Sequence, residues 1–184
     1  MLYIHLPDES LANQPARSAM PRGLPFYLAM EEYVARYMPD VNDAFFMWRV
    51  EPSVIFGRNQ ILENEVNVEY CKVHNIQLYR RKSGGGCVYA DKGNIMLSYI
   101  TPQTDVASTF TFYLDSLAAV LRKIGFNAVK TENNDVLIDD KKVSGNAFYA
   151  KPESSIVHGT LLYDLDFNEM QKAITPPMKK LSKH

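Results

Sequence analysis

The sequence predicts an α+β fold in which mixed β-sheets pack against helices. Many short apolar runs bounded by turn residues are typical of strands, and two longer segments carry the spacing of amphipathic helices. Strands come in runs with helices interspersed, which favours mixed sheets over a regular βαβ repeat. The 184 residues, 46% of them hydrophobic, are enough for one sizeable core. We therefore expect a single domain over residues 1–184.

The helices are predicted from periodicity and from the residues at their ends. Apolar residues at helical spacing predict a helix over residues 24–38, where Pro25 fits the first turn. The longest amphipathic pattern covers residues 106–124, and Gly125 stands at the position that commonly ends a helix. Two shorter helices are predicted over residues 66–74 and 167–174.

The strands are predicted from short apolar or alternating runs between turn signals. Glu51-Pro52 separates the first two strands, and Lys92-Gly93 forms a turn before a later one. Asp139-Asp140-Lys141 predicts a tight hairpin. The predicted strands cover residues 44–50, 54–56, 76–81, 95–100, 128–130, 136–138, 142–147 and 156–163.

Composition narrows the class of protein. A formal net charge of −1 gives no reason to expect nucleic acid as a partner. Cys71 and Cys87 are too few for a disulfide framework and lack the spacing of metal ligands, so we expect reduced thiols in a cytoplasmic protein. Residues 1–17 contain acidic side chains and no long apolar run, so we expect neither a signal peptide nor a membrane partner.

The segment 80–89 carries the strongest chemical signal. Arg80, Arg81 and Lys82 precede Ser83 and then three consecutive glycines, Gly84 to Gly86, between two predicted strands. Bare backbone next to cations suits an anion held by main-chain N–H groups, whereas a wide turn with solvated basic residues is the structural alternative. No Gly-Lys-Ser or Gly-Lys-Thr follows, so the segment is not a P-loop.

Four blocks in order resemble the lipoate–protein ligase family, and the resemblance runs from about Leu24 to about Leu181. It implies a biotin/lipoate ligase-like catalytic domain. The blocks are Gly57-Arg58-Asn59-Gln60 after Trp48, the glycine segment, Asn133-Asn134-Asp135 followed by Lys142-Val143-Ser144-Gly145, and His158-Gly159-Thr160-Leu161-Leu162.

The resemblance implies ATP-dependent activation of lipoate to lipoyl-AMP, with Mg²⁺, and transfer of the lipoyl group to a carrier lysine. The implied carriers are lipoyl domains of 2-oxoacid dehydrogenase acyltransferase subunits or the glycine-cleavage carrier protein. Lys142 matches the family's central lysine, with a solvated hairpin lysine as the alternative. Asp135 is the implied metal ligand, because hard oxygen ligands suit magnesium. The remaining implied binding residues are Arg58, Arg80, Arg81, Lys82, Ser83, Gly84, Gly85, Gly86, Val88, Tyr89, Asn94, Asn134, Asp135, Ser144, Gly145 and His158.

Two other functions fit the same sequence. An ATP-independent octanoyl or lipoyl transferase of the same superfamily needs a cysteine nucleophile, for which Cys87 is the candidate. A binding module that holds lipoate or lipoyl-AMP without full turnover is the second alternative. The resemblance also implies that the chain is truncated at the C-terminus of the catalytic domain and has no accessory domain. Ala90 and Ile61 depart from the family's usual residues.

Overall fold

The computed structural model describes residues 1–6 and 22–174. The predictions made for residues 7–17 and for the proline-broken stretch from residue 176 lie outside the described residues. The α+β prediction is confirmed, because strands in two mixed sheets are interspersed with helices. The helices are α1 (Leu24–Tyr37), α2 (Leu62–Glu65), α3 (Val68–Val73), α4 (Val106–Lys123) and α5 (Phe167–Ala173).

The larger sheet has seven strands in the order β1-β2-β6-β10-β9-β8-β7. Strand β1 runs parallel to β2, whereas the β2–β6, β7–β8, β8–β9 and β9–β10 pairs are antiparallel. The strands are β1 (Leu2–Tyr3), β2 (Ala44–Trp48), β6 (Asn94–Thr101), β7 (Ala128–Lys130), β8 (Asp135–Ile138), β9 (Lys141–Lys151) and β10 (Ser154–Leu162).

The smaller sheet has three strands in the order β4-β3-β5. Strand β3 (Ser53–Phe56) pairs in parallel with β4 (Gln77–Arg80) and antiparallel with β5 (Val88–Ala90). The core beneath this sheet is apolar and includes Val54, Cys71 and Tyr89. This arrangement places the glycine segment between the end of β4 and the start of β5.

The chain forms two compact units. The first comprises Met1–Trp48 and Met96–Leu161, and the second comprises Arg49–Ile95 and Leu162–His184. In the first unit, α4 buries Tyr113, Leu114 and Leu121, which is the amphipathic pattern expected of a helix on a sheet.

Capping side chains start the helices α3, α4 and α5. The side chain of Asn67 accepts a hydrogen bond from Tyr70 N–H at the start of α3, and Asp105 accepts one from Ser108 N–H at 2.7 Å at the start of α4. The bonds to Ser108 lower the pKa of Asp105. Asp166 caps α5 in the same way, through Glu169 N–H.

Three elements, β1, α2 and β5, have no counterpart among the predicted ranges, and β9 extends well beyond its predicted end. Strand β1 and helix α2 are too short to show a period in the sequence. Strand β9 continues to Lys151, because antiparallel pairing with β10 extends over Ser154↔Lys151 to Gly159↔Asn146. Among the described residues, no helix is both long and apolar enough to cross a membrane.

Candidate functional site

Arg81 forms the centre of the loop that joins β4 to β5. Its guanidinium is buried, with 6% of the residue exposed. Nη1 donates to Ile55 O at 2.9 Å, and Nη2 donates to the carbonyls of Gly84 (2.7 Å) and Gly86 (2.8 Å). Nε donates to Ser83 Oγ at 3.0 Å. Burial lowers the pKa of Arg81 from its ordinary value. The structure therefore gives Arg81 the role of holding the loop's carbonyls.

Arg80 holds the neighbouring turn, residues 57–60, in the same manner. Its Nη1 donates to Arg58 O at 3.0 Å and to Gln60 O at 2.7 Å, and the guanidinium lies over the Phe56 ring. Gln60 Nε2 in turn donates to Gly85 O at 3.2 Å. The two arginines predicted to supply charge therefore bind backbone oxygens in this structure.

Gly57 lets the turn approach the glycine loop. A Cβ on Gly57 would overlap the carbonyl oxygen of Gly85. Arg58 N–H also donates to Ser83 O at 2.9 Å, while the Arg58 side chain is exposed. The turn and the loop are therefore packed backbone against backbone.

The carbonyl oxygens of the glycine loop are occupied by side-chain donors of the protein. The carbonyls of Gly84, Gly85 and Gly86 all accept hydrogen bonds from protein side chains, and all three glycines are exposed. Gly85 has φ +94°, a conformation that other residues adopt only with strain. An exposed loop whose carbonyls are occupied leaves main-chain N–H groups for an anionic ligand.

Glu65 contacts the end of the glycine loop and was not among the residues predicted from the sequence. Its side chain lies in the short helix α2, is 8% exposed, and accepts a hydrogen bond from Cys87 N–H at 3.1 Å. Burial, followed by the charge of Glu65, raises the pKa of the Cys87 thiol to about 12. The thiol is therefore protonated at neutral pH, which disfavours a nucleophilic role.

The other residues predicted near the loop lie on β5 and β6. Tyr89 is buried in the core, and Val88 is half-buried. Asn94 is fully buried and donates through Nδ2 to Tyr89 O at 3.3 Å, while its Oδ1 has no hydrogen-bond partner among the described residues. Ser83 is buried and Lys82 is exposed. An unpartnered buried amide oxygen suits a polar ligand or an ordered water.

Lys142 lies on the β8–β9 hairpin with its amine beside a carboxylate. Lys142 Nζ is 2.9 Å from Asp135 Oδ1, with side chains that are 54% and 22% exposed. The end of the Lys142 side chain also packs against Gly145, where a Cβ would lie 3.1 Å from Cε and 3.3 Å from Nζ. The amine is therefore placed by contacts on two sides and remains accessible to solvent.

A β-bulge explains why these three residues meet. Asp135 pairs with Gly145 and Val136 with Ser144, but Leu137 pairs with Lys142, so Val143 is an extra residue on β9. In a regular strand, positions 142 and 145 are three residues apart, so side-chain alternation would put Lys142 and Gly145 on opposite faces. The bulge brings Lys142 to the face that carries Asp135.

The turn before Asp135 is held by side-chain amides and hydroxyls. Asn146 Nδ2 donates to Asn134 O at 2.9 Å, and Ser144 Oγ lies 3.3 Å from Asn146 Oδ1. Thr131 Oγ1 accepts from Asp135 N–H at 3.3 Å. Asn134 is exposed and has φ +63°. The predicted residues Asn134, Asp135 and Ser144 are thus brought together around Lys142 and Gly145.

His158 belongs to a buried hydrogen-bonded network in the first unit. Its Nδ1 lies 3.0 Å from Glu31 Oε2, and Glu31 is only 3% exposed. Ser98 Oγ donates to Glu31 Oε1 at 2.6 Å and accepts from Trp48 Nε1–H at 2.9 Å. His158, a predicted binding residue, is therefore paired with a buried carboxylate in this structure. Glu31 was missed because its position in α1 looks like one polar residue within a helix.

The metal prediction finds one suitable oxygen ligand on this hairpin, the Asp135 carboxylate. Within residues 1–6 and 22–174, no group of three His, Cys, Asp or Glu side chains is placed to hold a metal ion. Magnesium commonly takes one or two carboxylates and completes its octahedron with phosphate oxygens and water. Asp135 fits such a site, in which a nucleotide supplies most of the ligands.

Comparison with known proteins gives a consistent result. Residues 24–184 match the family described as the lipoyl protein ligase A/B catalytic domain. Lipoate–protein ligase 1 of Staphylococcus aureus is 39% identical over 148 residues, which are 80% of this chain and 45% of the relative. Lipoate–protein ligase LplJ of Bacillus subtilis is 32% identical over 155 residues, 84% of this chain and 47% of the relative. The chain thus spans about half the length of the curated relatives it matches.

Solved structures share the fold. Plasmodium falciparum LipL1 in complex with lipoate superposes with a TM-score of 0.73 at 28% identity, over 83% of this chain and 49% of that one. Lipoate–protein ligase A bound with ATP gives 0.74 at 26%, over 84% and 68%. The bipartite Thermoplasma acidophilum ligase, described with its E2 lipoyl domain, gives 0.72 at 30%, over 85% and 64%.

The fold and these neighbours define the class as lipoate ligase-like α+β proteins. Because the family match covers most of the sequence, the chain belongs to the lipoyl protein ligase A/B catalytic-domain family.

Proposed function

We propose that this chain activates lipoate with ATP to form lipoyl-AMP and transfers the lipoyl group to a lysine of a lipoyl-carrier protein. The observation that carries the proposal is the exposed Lys142 amine, held 2.9 Å from Asp135 by the bulge in β9. Similar proteins support the substrates, since one solved relative is in complex with lipoate and another is bound with ATP.

In the first step, a lipoate carboxylate oxygen attacks the α-phosphorus of ATP, and the bond to the leaving pyrophosphate breaks. Two anions must approach each other, so fixed positive groups lower the barrier. The Lys142 amine donates to the acyl carbonyl and the phosphate. The glycine loop, Gly84 to Gly86, is proposed separately as an anion-binding element. Asp135 would hold a Mg²⁺ ion, which would supply further positive charge to the phosphates.

In the second step, the neutral amine of the acceptor lysine attacks the lipoyl carbonyl carbon, the bond to AMP breaks, and the amine's surplus proton passes to solvent. Lys142 stabilises the charge that develops on the carbonyl oxygen in this step. Lys142 thus serves both half-reactions through electrostatics and is not itself acylated.

Lipoyl domains are the proposed carriers, because a related archaeal ligase is described with its E2 lipoyl domain. Within that class we propose the lipoyl domains of 2-oxoacid dehydrogenase acyltransferase subunits, or the glycine-cleavage carrier protein. We propose a cytoplasmic site of action, with neither nucleic acid nor a membrane as partner.

Replacement of Lys142 tests the proposal. We expect Lys142→Ala to lower pyrophosphate release, on addition of lipoate, ATP and Mg²⁺, by more than about a hundredfold. The midpoint of urea unfolding should stay unchanged, because Lys142 is half exposed. Lys141→Ala is the matched control, since Lys141 is an exposed lysine on the same hairpin. Normal release by the Lys142 variant would remove the central assignment.

Replacement of Cys87 separates the proposal from the thioester transferase. The raised pKa of the Cys87 thiol predicts that Cys87→Ser retains ATP-dependent transfer to a purified apo-carrier, read as a mass shift. Loss of transfer by a folded Cys87→Ser protein would favour the transferase. Pyrophosphate release without any mass shift would favour a protein that only activates or binds lipoate.

A further inference from the structure

We propose that Asn146 is a positioning residue that fixes Asp135, and through Asp135 the amine of Lys142. The inference rests on the role proposed above for Lys142 and assigns how that amine is held. Asn146 lies on β9, one residue beyond Gly145, and within the part of the chain that the structure describes its amide bonds to Asn134 and Ser144 and makes no hydrogen bond to Lys142.

The side-chain amide of Asn146 makes hydrogen bonds to two residues, Asn134 and Ser144. Nδ2 donates to Asn134 O at 2.9 Å, and Ser144 Oγ lies within 3.3 Å of both amide atoms, Oδ1 and Nδ2. Ser144 is fully buried, so the hydroxyl provides a fixed support. The amide therefore connects the rigid strand β9 to the turn that precedes Asp135.

The bonded carbonyl belongs to the strained residue of that turn. Asn134 has φ +63°, in the left-handed region, where an L-residue has a higher energy than in an extended strand. A hydrogen bond to its carbonyl favours this conformation over relaxed alternatives. Asp135 is the next residue, so the conformation of Asn134 determines where the Asp135 carboxylate points.

Strand β10 fixes the orientation of the Asn146 side chain. Gly159 pairs with Asn146 in the antiparallel register, and a Cβ on Gly159 would overlap Asn146 Oδ1 and lie 2.8 Å from Cγ. The missing side chain at Gly159 is therefore what makes room for the amide. The path runs from Gly159 through Asn146 and Asn134 to Asp135 and ends at Lys142.

The first experiment measures the reactivity of Lys142 directly. Native protein is treated with limiting acetic anhydride, and acetylation of each lysine is read by peptide mass spectrometry. Loss of the Asp135 partner in Asp135→Asn should raise acetylation of Lys142 about two- to fivefold, the range expected for one exposed ion pair. We expect Asn146→Ala and Asn146→Asp to raise it in the same direction, by about twofold or more.

Two further variants distinguish a change in the position of Asp135 from a general loss of stability. Asn146→Asp keeps the shape of the side chain but cannot donate to Asn134 O. Asn127→Ala is the matched control, because Asn127 Nδ2 supports the other end of the hairpin through Asp139 Oδ1 at 3.3 Å. The control removes an asparagine bond to the same hairpin and should leave Lys142 acetylation unchanged.

A double-mutant cycle tests the path, because non-additive effects of two substitutions are not expected from a general loss of stability. Gly159→Ala alone should displace the amide and raise Lys142 acetylation as Asn146→Ala does. In the Asn146→Ala background the two clashing amide atoms are gone and Tyr113 Oη, at 3.1 Å, is the remaining close atom, so adding Gly159→Ala should cause little further change. Additive effects of the two substitutions would overturn the proposed path.

The outcomes distinguish this inference from the proposed function. If Asp135→Asn raises Lys142 acetylation but Asn146→Asp does not, the positioning role is wrong whether or not the protein forms lipoyl-AMP. If acetylation responds as expected and pyrophosphate is never released, the proposed function fails while the positioning role stands. In an active protein, Asn146→Asp should lower kcat for pyrophosphate release and leave KM for lipoate within about twofold.

Discussion

The arginines of the glycine loop and the lysine of the β8–β9 hairpin differ in what their positive charges contact. Arg81 is buried and bonded to carbonyls of Ile55, Gly84 and Gly86, so its charge is used within the protein. Lys142 is half exposed and contacts one carboxylate, that of Asp135.

The difference indicates that one type of positively charged side chain stabilises the fold and the other remains available to a ligand. A guanidinium with a fixed fork of donors suits the permanent organisation of a loop, because it can bond several carbonyls at once. An ammonium on a flexible stem, paired with one exposed carboxylate, can exchange that partner for a ligand at little cost. The predictions below test this contrast, beginning with the largest expected effect.

Replacement of Arg81 should damage the fold itself. Arg81→Ala removes buried, charge-assisted hydrogen bonds to the loop carbonyls, so we expect a loss of about 3 kcal/mol in the free energy of unfolding. Urea denaturation followed by fluorescence measures it. Arg81→Lys should recover only part of the loss, because lysine lacks the fork. Wild-type stability of Arg81→Ala would contradict the structural role.

Replacement of Gly84 should affect the ligand and leave the fold unchanged. A Cβ on Gly84 has no protein atom within 4 Å, so Gly84→Ala should keep the free energy of unfolding within about 0.5 kcal/mol. If a nucleotide lies against this backbone, the added methyl group should raise KM for ATP by about tenfold or more. Steady-state pyrophosphate release measures KM. An unchanged KM would mean that the ligand does not approach Gly84.

Replacement of Gly145 should move the Lys142 amine. The new Cβ of Gly145→Ala would lie 3.1 Å from Lys142 Cε, so the flexible side chain must shift by a few tenths of an ångström. We expect kcat for pyrophosphate release to fall by about tenfold, because the reaction depends on the amine's position. Thermal unfolding should change little, and a large drop in Tm would attribute the loss to folding instead.

Replacement of Asp140 should give the smallest effect, a gain in stability. Asp139 and Asp140 form the hairpin turn with φ +47° and +63°, a conformation that glycine adopts without strain. Asp140→Gly should raise the free energy of unfolding by about 0.5 kcal/mol, measured in urea. Asp140→Asn is the control, since it removes the charge and keeps a side chain. Equal gains from both variants would assign the effect to charge.

Local patterns in the sequence predicted most of the elements. The helix predicted over residues 106–124 is α4 (Val106–Lys123), because a strong apolar period and Gly125 mark it. The hairpin turn after Ile138 is present, because Asp-rich pairs tolerate left-handed backbone. Such features depend on neighbours in the chain, which the sequence displays.

The partners of the charged side chains could not be predicted from local patterns in the sequence. The sequence shows Arg81 beside a glycine run, but whether its donors face a ligand or the loop's own carbonyls depends on three-dimensional packing. The pairing of Glu31 with His158 joins positions 127 residues apart. The bulge at Val143 depends on cross-strand register, which no local pattern around Lys142 reveals.

The extra residue in β9 has a consequence for how this hairpin tolerates change. The direction of the Lys142 amine is encoded by the number of residues between positions 142 and 145 as well as by their identity. Removing Val143 would leave positions 142 and 145 two residues apart in a regular strand, so the Lys142 side chain would stay on the face that carries Gly145. A one-codon deletion there would therefore keep the side of the sheet on which the amine lies and remove the local bend and twist that the bulge gives the strand.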